Sequence, residues 1–260
     1  MPTSVRDRAL SILELLVRCP RGLPMSEVAD QLEIPKTATH RLLNELRAIG
    51  YLRLTDGGSY ALTVKLAALG LSYMANNGIS DAIQPLLEEL AQETGELVRL
   101  AIIEDTRLIW VAKAQGAQTG LRYDPDTGAE AYLPASANGL AWMAAVSEER
   151  ALELIASQGM QRAATMGPGA PRPLRKVLEL LRLTRRQGYG EVHDSYEPGP
   201  SAFAIVLRHH LDETPIGTVS VAGPSVRITP QRIKQLAPIV EEYAKRLAEL
   251  SRTSPLFVGR

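Results

Sequence analysis

Apolar residues recur at helical spacing from the first turn of the chain. Val5, Ala9, Ile12, Leu13 and Leu16 make one stripe behind Ser4, which predicts an amphipathic helix over 4–17 with Ser4 as its N-cap. Cys19-Pro20-Arg21-Gly22 interrupts the pattern with a turn. Val28, Ala29 and Leu32 predict a second, short helix from Ser26 to Leu32, with Ser26 as cap and Glu27 favouring the positive end of the helix dipole. After Glu33-Ile34-Pro35 a third helix is expected from about Lys36 to Ile49, closed by Gly50. It has an apolar face of Ala38, Leu42, Leu46 and Ile49 and a polar face of Thr37, His40, Arg41 and Asn44. Tyr51-Leu52-Arg53-Leu54 and Tyr60-Ala61-Leu62 then flank an Asp56-Gly57-Gly58 turn, a hairpin signal. A fourth helix over about 63–76 carries Val64, Ala67, Ala68 and Leu71 and stops at Asn76-Asn77-Gly78. So small a head leaves those residues little to pack against, so the segment reads as a linker helix and a dimer contact.

Beyond that boundary, Ile83, Leu86, Leu87, Leu90 and Ala91 predict a helix over 80–94. Strands are expected at Leu97–Glu104 and Arg107–Ala114, joined at Asp105-Thr106, and a short one at Leu121–Tyr123 before a turn at Asp124–Gly128. Helices at Ala135–Val146, Glu148–Gln158 and Leu174–Gln187 follow, the last after the Gly- and Pro-rich loop Gly167–Pro173. Strands at Gly190–His193, Ser201–His209 and Ile216–Ala222 lead to a closing helix, Pro230–Ser251, capped by Thr229. Antiparallel strands with helices grouped around them make this part an α+β sheet domain.

A helix, a tight connection, a polar-faced helix and a hairpin form a winged helix-turn-helix, in which the second helix of the motif enters the DNA major groove. Charge agrees with that reading only locally. The chain holds 29 Lys+Arg against 29 Asp+Glu, which excludes a binder driven by bulk positive charge. Residues 1–76 carry 9 basic and 7 acidic side chains, and Lys36, Arg41, Arg47 and Arg53 against Glu45 concentrate +3 across 36–53. A single cysteine, Cys19, excludes an intramolecular disulfide and a cysteine metal framework. Charges at Arg6, Asp7, Arg8 and Glu14 interrupt any signal-peptide core, and no apolar run reaches the about 20 residues that span a bilayer, so no membrane partner is expected and a cytoplasmic location is.

The head resembles the IclR family of bacterial transcription regulators. The resemblance rests on Arg8-Ala9-Leu10 with Ile12-Leu13, on Arg21-Gly22-Leu23 with Ser26-Glu27-Val28-Ala29, and above all on Pro35-Lys36-Thr37-Ala38-Thr39-His40-Arg41-Leu42-Leu43 with Leu46 and Gly50-Tyr51-Leu52. Pro134–Ala141, Gly188-Tyr189, Glu197-Pro198-Gly199, Gly217–Pro224 and Thr229–Ile233 extend it more thinly. It implies a winged helix-turn-helix over 1–62, a linker helix over 63–78, a GAF-like effector-binding domain over 79–251 and a tail over 252–260. It also implies operator DNA and a small-molecule effector as partners, a homodimer or tetramer, and no cofactor. The DNA-contacting set expected is Ser26, Lys36, Thr37, Thr39, His40, Arg41, Asn44, Arg53 and Ser59.

For the effector, Ser136, Asn138 and Gly139 lie near a predicted helix N-terminus, where free N–H groups attract carboxylates. An N-cap role alone accounts for Ser136 or Asn138 equally well. Better-known acid-binding members often carry an acid at the position of Val192, a small polar residue near Ala202 and hydroxyls at both Ser220 and Ala222, and here only Ser220 keeps its hydroxyl. With Trp110, Tyr123, Trp142 and Phe203 as apolar walls, that points to a larger, partly apolar or aromatic carboxylic acid, or a related catabolic metabolite. A constitutive DNA binder with a structural second domain is the rival reading. No nucleophile, Walker or metalloprotease motif is present, so no enzyme is expected, and His209-His210 with Asp212 reads as a solvated strand end whose two rings diverge.

Overall fold

The computed structural model describes residues 4–125 and 127–257, without the side chain of Ser80. Asp126 of the expected 124–128 turn and residues 258–260 of the expected tail lie outside the described residues. The chain forms two compact units, Met1–Asn76 and Asn77–Arg260.

In the first unit, α1 (Val5–Val17) opens with a reciprocal cap: the Ser4 hydroxyl accepts from the Asp7 N–H, and the Asp7 carboxylate accepts from the Ser4 N–H. α2 (Met25–Leu32) begins one residue earlier than expected. Pro24, at φ −60° and ψ 151°, holds the N-cap position without a side-chain bond, so Ser26 is the helix's second residue and not its cap. Glu33 closes α2 in the left-handed region, and α3 (Lys36–Ala48) starts directly behind Pro35. Ile12, Leu16, Val28, Leu42, Leu43, Leu46, Leu52 and Tyr60 form the core where the helices meet the wing. Val5 and Ile49, at the ends of their stripes, are exposed.

The wing is β1 (Leu52–Leu54) against β2 (Tyr60–Leu62), with Leu23 bridged to Tyr60 as a partial third strand. That bridge requires Gly22, whose φ is +79° and whose added Cβ would lie 2.5 Å from the Tyr60 carbonyl oxygen. α4 (Val64–Asn76) buries none of its residues, and Val64, Leu69 and Leu71 are exposed along it. Its start is tied to the end of α3. Lys65 donates to the Ile49 carbonyl at 2.6 Å and lies 4.6 Å over the Tyr51 ring, and Thr63 donates to the Gly50 carbonyl at 2.6 Å. A lysine on the last carbonyls of α3 also suits that helix's negative end.

In the second unit a π-helical turn (79–83) precedes α5 (Gln84–Thr94). Pro85 fits only the first turn of a helix, so the regular segment starts later than the apolar spacing suggests. β3 (Leu97–Glu104), β4 (Arg107–Gln115), β5 (Gly190–His193), β6 (Pro200–Arg208) and β7 (Pro215–Pro224) make one antiparallel sheet in the order β4-β3-β7-β6-β5. α5 and α9 (Pro230–Glu249) pack on one face. α6 (Ala137–Ala144) packs on the other, with α7 (Glu148–Gln158) and α8 (Leu174–Gln187) around it. Thr229 caps α9 by accepting from the Arg232 N–H. The strand expected at Leu121–Tyr123 is instead irregular chain. It has no strand neighbour and is held by side chains: Gln115 donates to the Tyr123 carbonyl at 3.0 Å, and Arg227 donates to the Leu121 carbonyl at 3.0 Å.

Gly22→Ala should lower the stability of the first unit by about 1–3 kcal/mol, from the positive φ and the clash with the wing. A urea titration read by far-ultraviolet circular dichroism checks this as an earlier unfolding midpoint.

Candidate functional site

The polar face of α3 stands clear of the core. Thr37, His40 and Arg41 are exposed, Asn44 is half-buried, and Lys36 is exposed at the helix's first residue. The Asn44 amide lies 3.2 Å from His40 Nε2, and Arg41 makes a 3.6 Å ion pair with Glu45 one turn on. Such exposed pairs contribute about 0.3–0.5 kcal/mol, so both side chains can exchange partners cheaply. Ser26 is exposed in the first turn of α2, where N–H groups face outward, and Arg53 and half-buried Ser59 lie on the wing. Thr39 does not belong to this surface. It is fully buried and donates to the Pro35 carbonyl at 3.2 Å, clasping the turn that starts α3. Its neighbours in the chain face out because successive helical positions turn by about 100°.

In the second unit, strand register brings candidates onto one sheet face. Gly190, Ala204, Ser220, Arg99 and Lys113 form a row across all five strands, and Val192, Ala202, Ala222 and Leu97 form the next. Small side chains in the first row let α6 press close: a Cβ on Gly190 would lie 2.4 Å from the Ala137 carbonyl oxygen. Ser136 is the N-cap of α6 and accepts from the Gly139 N–H at 3.1 Å. Gly139 rests on the turn before the helix, where a Cβ would meet Leu133 O at 2.2 Å. Asn138 donates to Thr218 Oγ1 at 2.9 Å and accepts from Trp110 Nε1 at 3.4 Å. Trp142 lies in the same core cluster as Trp110. Ser220 donates to the Arg99 carbonyl at 3.5 Å.

Phe203 cannot be a wall of this site. Strand alternation sends it to the α9 face, where it meets Tyr189 edge-on at 6.0 Å. That face also carries an open groove of about 730 Å³ lined by Tyr189, Ile205, Lys234, Glu241 and Lys245 among others, with charges of both signs.

The group that the sequence reading missed is Arg99. Its side chain is buried at 6% exposure, its guanidinium lies 4.0 Å over the Trp110 ring, and its Nε has no hydrogen-bond partner. Burial holds its pKa below the ordinary arginine range, opposed by nearby Tyr123, Tyr196 and Glu197. Burial likewise pushes the Tyr123 hydroxyl above the ordinary tyrosine range, against the pull of Arg99. An unpaired buried donor costs about 1–3 kcal/mol, and a buried charge several kcal/mol. The signal in the sequence is one arginine inside the otherwise apolar run Leu97-Val98-Arg99-Leu100-Ala101-Ile102-Ile103. A β-bulge adds to it. Ala112 pairs with Leu100 but Trp110 pairs with Ala101, so Val111 is left unopposed and Trp110 turns onto the Arg99 face.

The profile described as the IclR helix-turn-helix domain matches residues 6–56, and the profile of the bacterial transcriptional regulator IclR C-terminal domain matches residues 71–249. The chain belongs to the IclR family. Its relatives are regulators of transcription, not enzymes. The acetate operon repressor of Salmonella typhimurium is 26% identical over 243 residues, covering 92% of this chain and 87% of that protein. The crystal structure of an IclR-type transcriptional regulator from Alicyclobacillus acidocaldarius has the same fold, with a TM-score of 0.82 at 21% identity, covering 96% of this chain and 100% of that one. So has an IclR homologue from Microbacterium hydrocarbonoxydans complexed with 4-hydroxybenzoate, with a TM-score of 0.76 at 22% identity, covering 96% and 100%.

Outside α3, the histidines of this IclR-family chain make local contacts. Glu191, His193, Ser201 and Ser225 form a hydrogen-bonded line, with Glu191 Oε1 2.6 Å and Ser201 Oγ 2.8 Å from the two ring nitrogens of His193. The Glu191 hydrogen bond raises the His193 pKa, and burial opposes it. Ser201 is fully buried, so no substrate reaches its hydroxyl. The rings of His209 and His210 do not diverge. β6 ends at Arg208, alternation lapses there, and the ring centroids lie 4.6 Å apart. Among the described residues no group of three or more His, Cys, Asp or Glu is placed to hold a metal, and no helix is long and apolar enough to cross a membrane.

Asn138→Ala leaves Trp110 Nε1 and Thr218 without their shared partner. It should destabilise the second unit by about 1–3 kcal/mol for each buried group left unpaired, measured as a lower urea midpoint by tryptophan fluorescence.

Proposed function

We propose that this regulator is a ligand-responsive repressor of a catabolic operon, located in the cytoplasm, whose second, GAF-like unit senses a small organic acid with an aromatic body. The observation that carries the reading is the buried polar cluster at the N-terminus of α6, where Ser136 is bonded to Gly139 and Asn138 to Trp110 and Thr218. A helix N-terminus inside an apolar layer favours an anion. Trp110, Tyr123 and Trp142 supply aromatic surface, while Val192, Ala202 and Ala222 offer no polar partner to a very small, doubly polar ligand. The relatives support the same direction, since one represses the acetate operon and one is complexed with 4-hydroxybenzoate.

On the DNA side, α3 enters the major groove. Thr37, His40, Arg41 and Asn44 read base edges or phosphates, and Lys36, Arg53, Ser59 and Ser26 are directed at the backbone. One such head makes few contacts, so two heads read a near-palindromic operator. The exposed apolar side of α4 supplies the contact of a homodimer, which can pair again into a tetramer. The effector acts by binding more tightly to one spacing of the heads than to the other.

Arg41→Ala should weaken operator binding by about five- to 150-fold, the loss of one good base contact at about 1–3 kcal/mol, and leave effector binding intact. Fluorescence anisotropy with labelled operator measures it, and unchanged affinity removes Arg41 from the interface. Ser220→Ala should blunt the effector's release of operator without loss of DNA binding. An unaltered ligand titration would exclude that role.

A further inference from the structure

We propose that Arg99 is the anion anchor of the second unit and selects a planar ligand bearing a single carboxylate. The proposal rests on the sensor reading above and names the group that gives it its chemical class. Arg99 is more than nine-tenths buried, and its Nε–H has no hydrogen-bond partner among the described residues. It stands on the same sheet face as Ser220 and as Thr218, to which Asn138 of α6 is bonded. Its guanidinium lies against Trp110, whose indole N–H is held by Asn138 at the helix N-terminus. Arginine and helix end therefore face one locus through a single shared ring.

The stacking sets the orientation of a ligand. The guanidinium carbon lies 4.0 Å over the centre of the Trp110 ring, and the unpaired Nε–H lies in the guanidinium's own plane. A carboxylate reaches that N–H best in the same plane, accepting two parallel hydrogen bonds. An acid whose carboxylate is conjugated to a flat ring continues that plane. Tyr123, with its ring 5.9 Å from the guanidinium, and Tyr196, edge-on to Trp110 at 5.5 Å, supply aromatic neighbours for it.

The surroundings also limit the ligand's charge. Glu197 acts on both Arg99 and Tyr123, so a second negative charge on the ligand meets a carboxylate. Lys113, the cation beside Arg99 in the row, is already held by the Asp124 carboxylate at 2.8 Å and the Pro125 carbonyl at 3.0 Å. Of the two cations in the row, Arg99 is the one without an ion pair among the described residues, one positive group for one carboxylate.

Calorimetric titration of the full chain with benzoate, 4-hydroxybenzoate, uncharged benzamide and doubly charged terephthalate tests this without any substitution. The expected result is binding of at least one of the two monocarboxylates, at least tenfold tighter than benzamide or terephthalate. Arg99→Met, which keeps the stem's length and removes the charge, should weaken the monocarboxylate at least tenfold and leave benzamide unchanged. Arg99→Lys should recover part of the loss. Ligand-free Arg99→Met should melt no lower than the unsubstituted chain, because the cost of burying the charge outweighs its attraction to Tyr123, Tyr196 and Glu197. Benzamide bound as tightly as the acids, or equal acid affinity in the two chains, overturns the anchor and leaves the sensor standing. No heat from either monocarboxylate, in protein that still binds operator, overturns both.

Discussion

The second unit depends on how closely one helix approaches the sheet. α6 lies on β5, β6 and β7 because the row beneath it is Gly190, Ala204 and Ser220, and because Gly139 rests against the backbone of Leu133. A larger side chain at either glycine would meet backbone atoms, which do not give way as a flexible side chain does. That approach brings Asn138 to Thr218 and Trp110 and buries an entire eight-residue helix except for its last residue. A buried helix end leaves N–H groups in an apolar layer, and such groups need partners. Ser136 supplies one from within the chain. Arg99, over the Trp110 ring, adds a buried guanidinium whose Nε–H has no hydrogen-bond partner among the described residues.

The first unit solves a different problem with the same economy of parts. α3 must expose a polar face while both of its ends are anchored. Thr39 clasps the start through Pro35, and Lys65 and Thr63 hold the end through Ile49 and Gly50. Those last contacts come from the beginning of α4, so α3, the helix proposed to read DNA, and α4, with its exposed apolar residues, are coupled through two hydrogen bonds and a lysine over the Tyr51 ring. The modest charge of the head suits this design, because specificity comes from a rigidly presented face and not from bulk attraction to phosphate.

Much of this was legible in the amino-acid order. The head helices, the wing, all five strands of the sheet and the cap of α9 follow from periodicity and turn chemistry, since those signals lie within a few residues of the element they define. Errors arose where a neighbour in space decides. Leu121–Tyr123 has strand composition but no strand to pair with. Thr39 looks like its polar neighbours, yet the helix phase sends it inward. Phe203 reads as a pocket wall until the register places it on the face toward α9.

Local pattern, then, determined the elements, the two-part organisation and the polar face of α3, because hydrophobic period, glycine and proline act through the backbone nearby. Only the tertiary structure decided which side chains share a face. A strand's alternation tells two sides apart without saying which is which, and a single bulge at Val111 reverses the answer for Trp110. The arginine was visible in the chain as an oddity. Its unpaired Nε–H was not, because that is a property of every group packed around it.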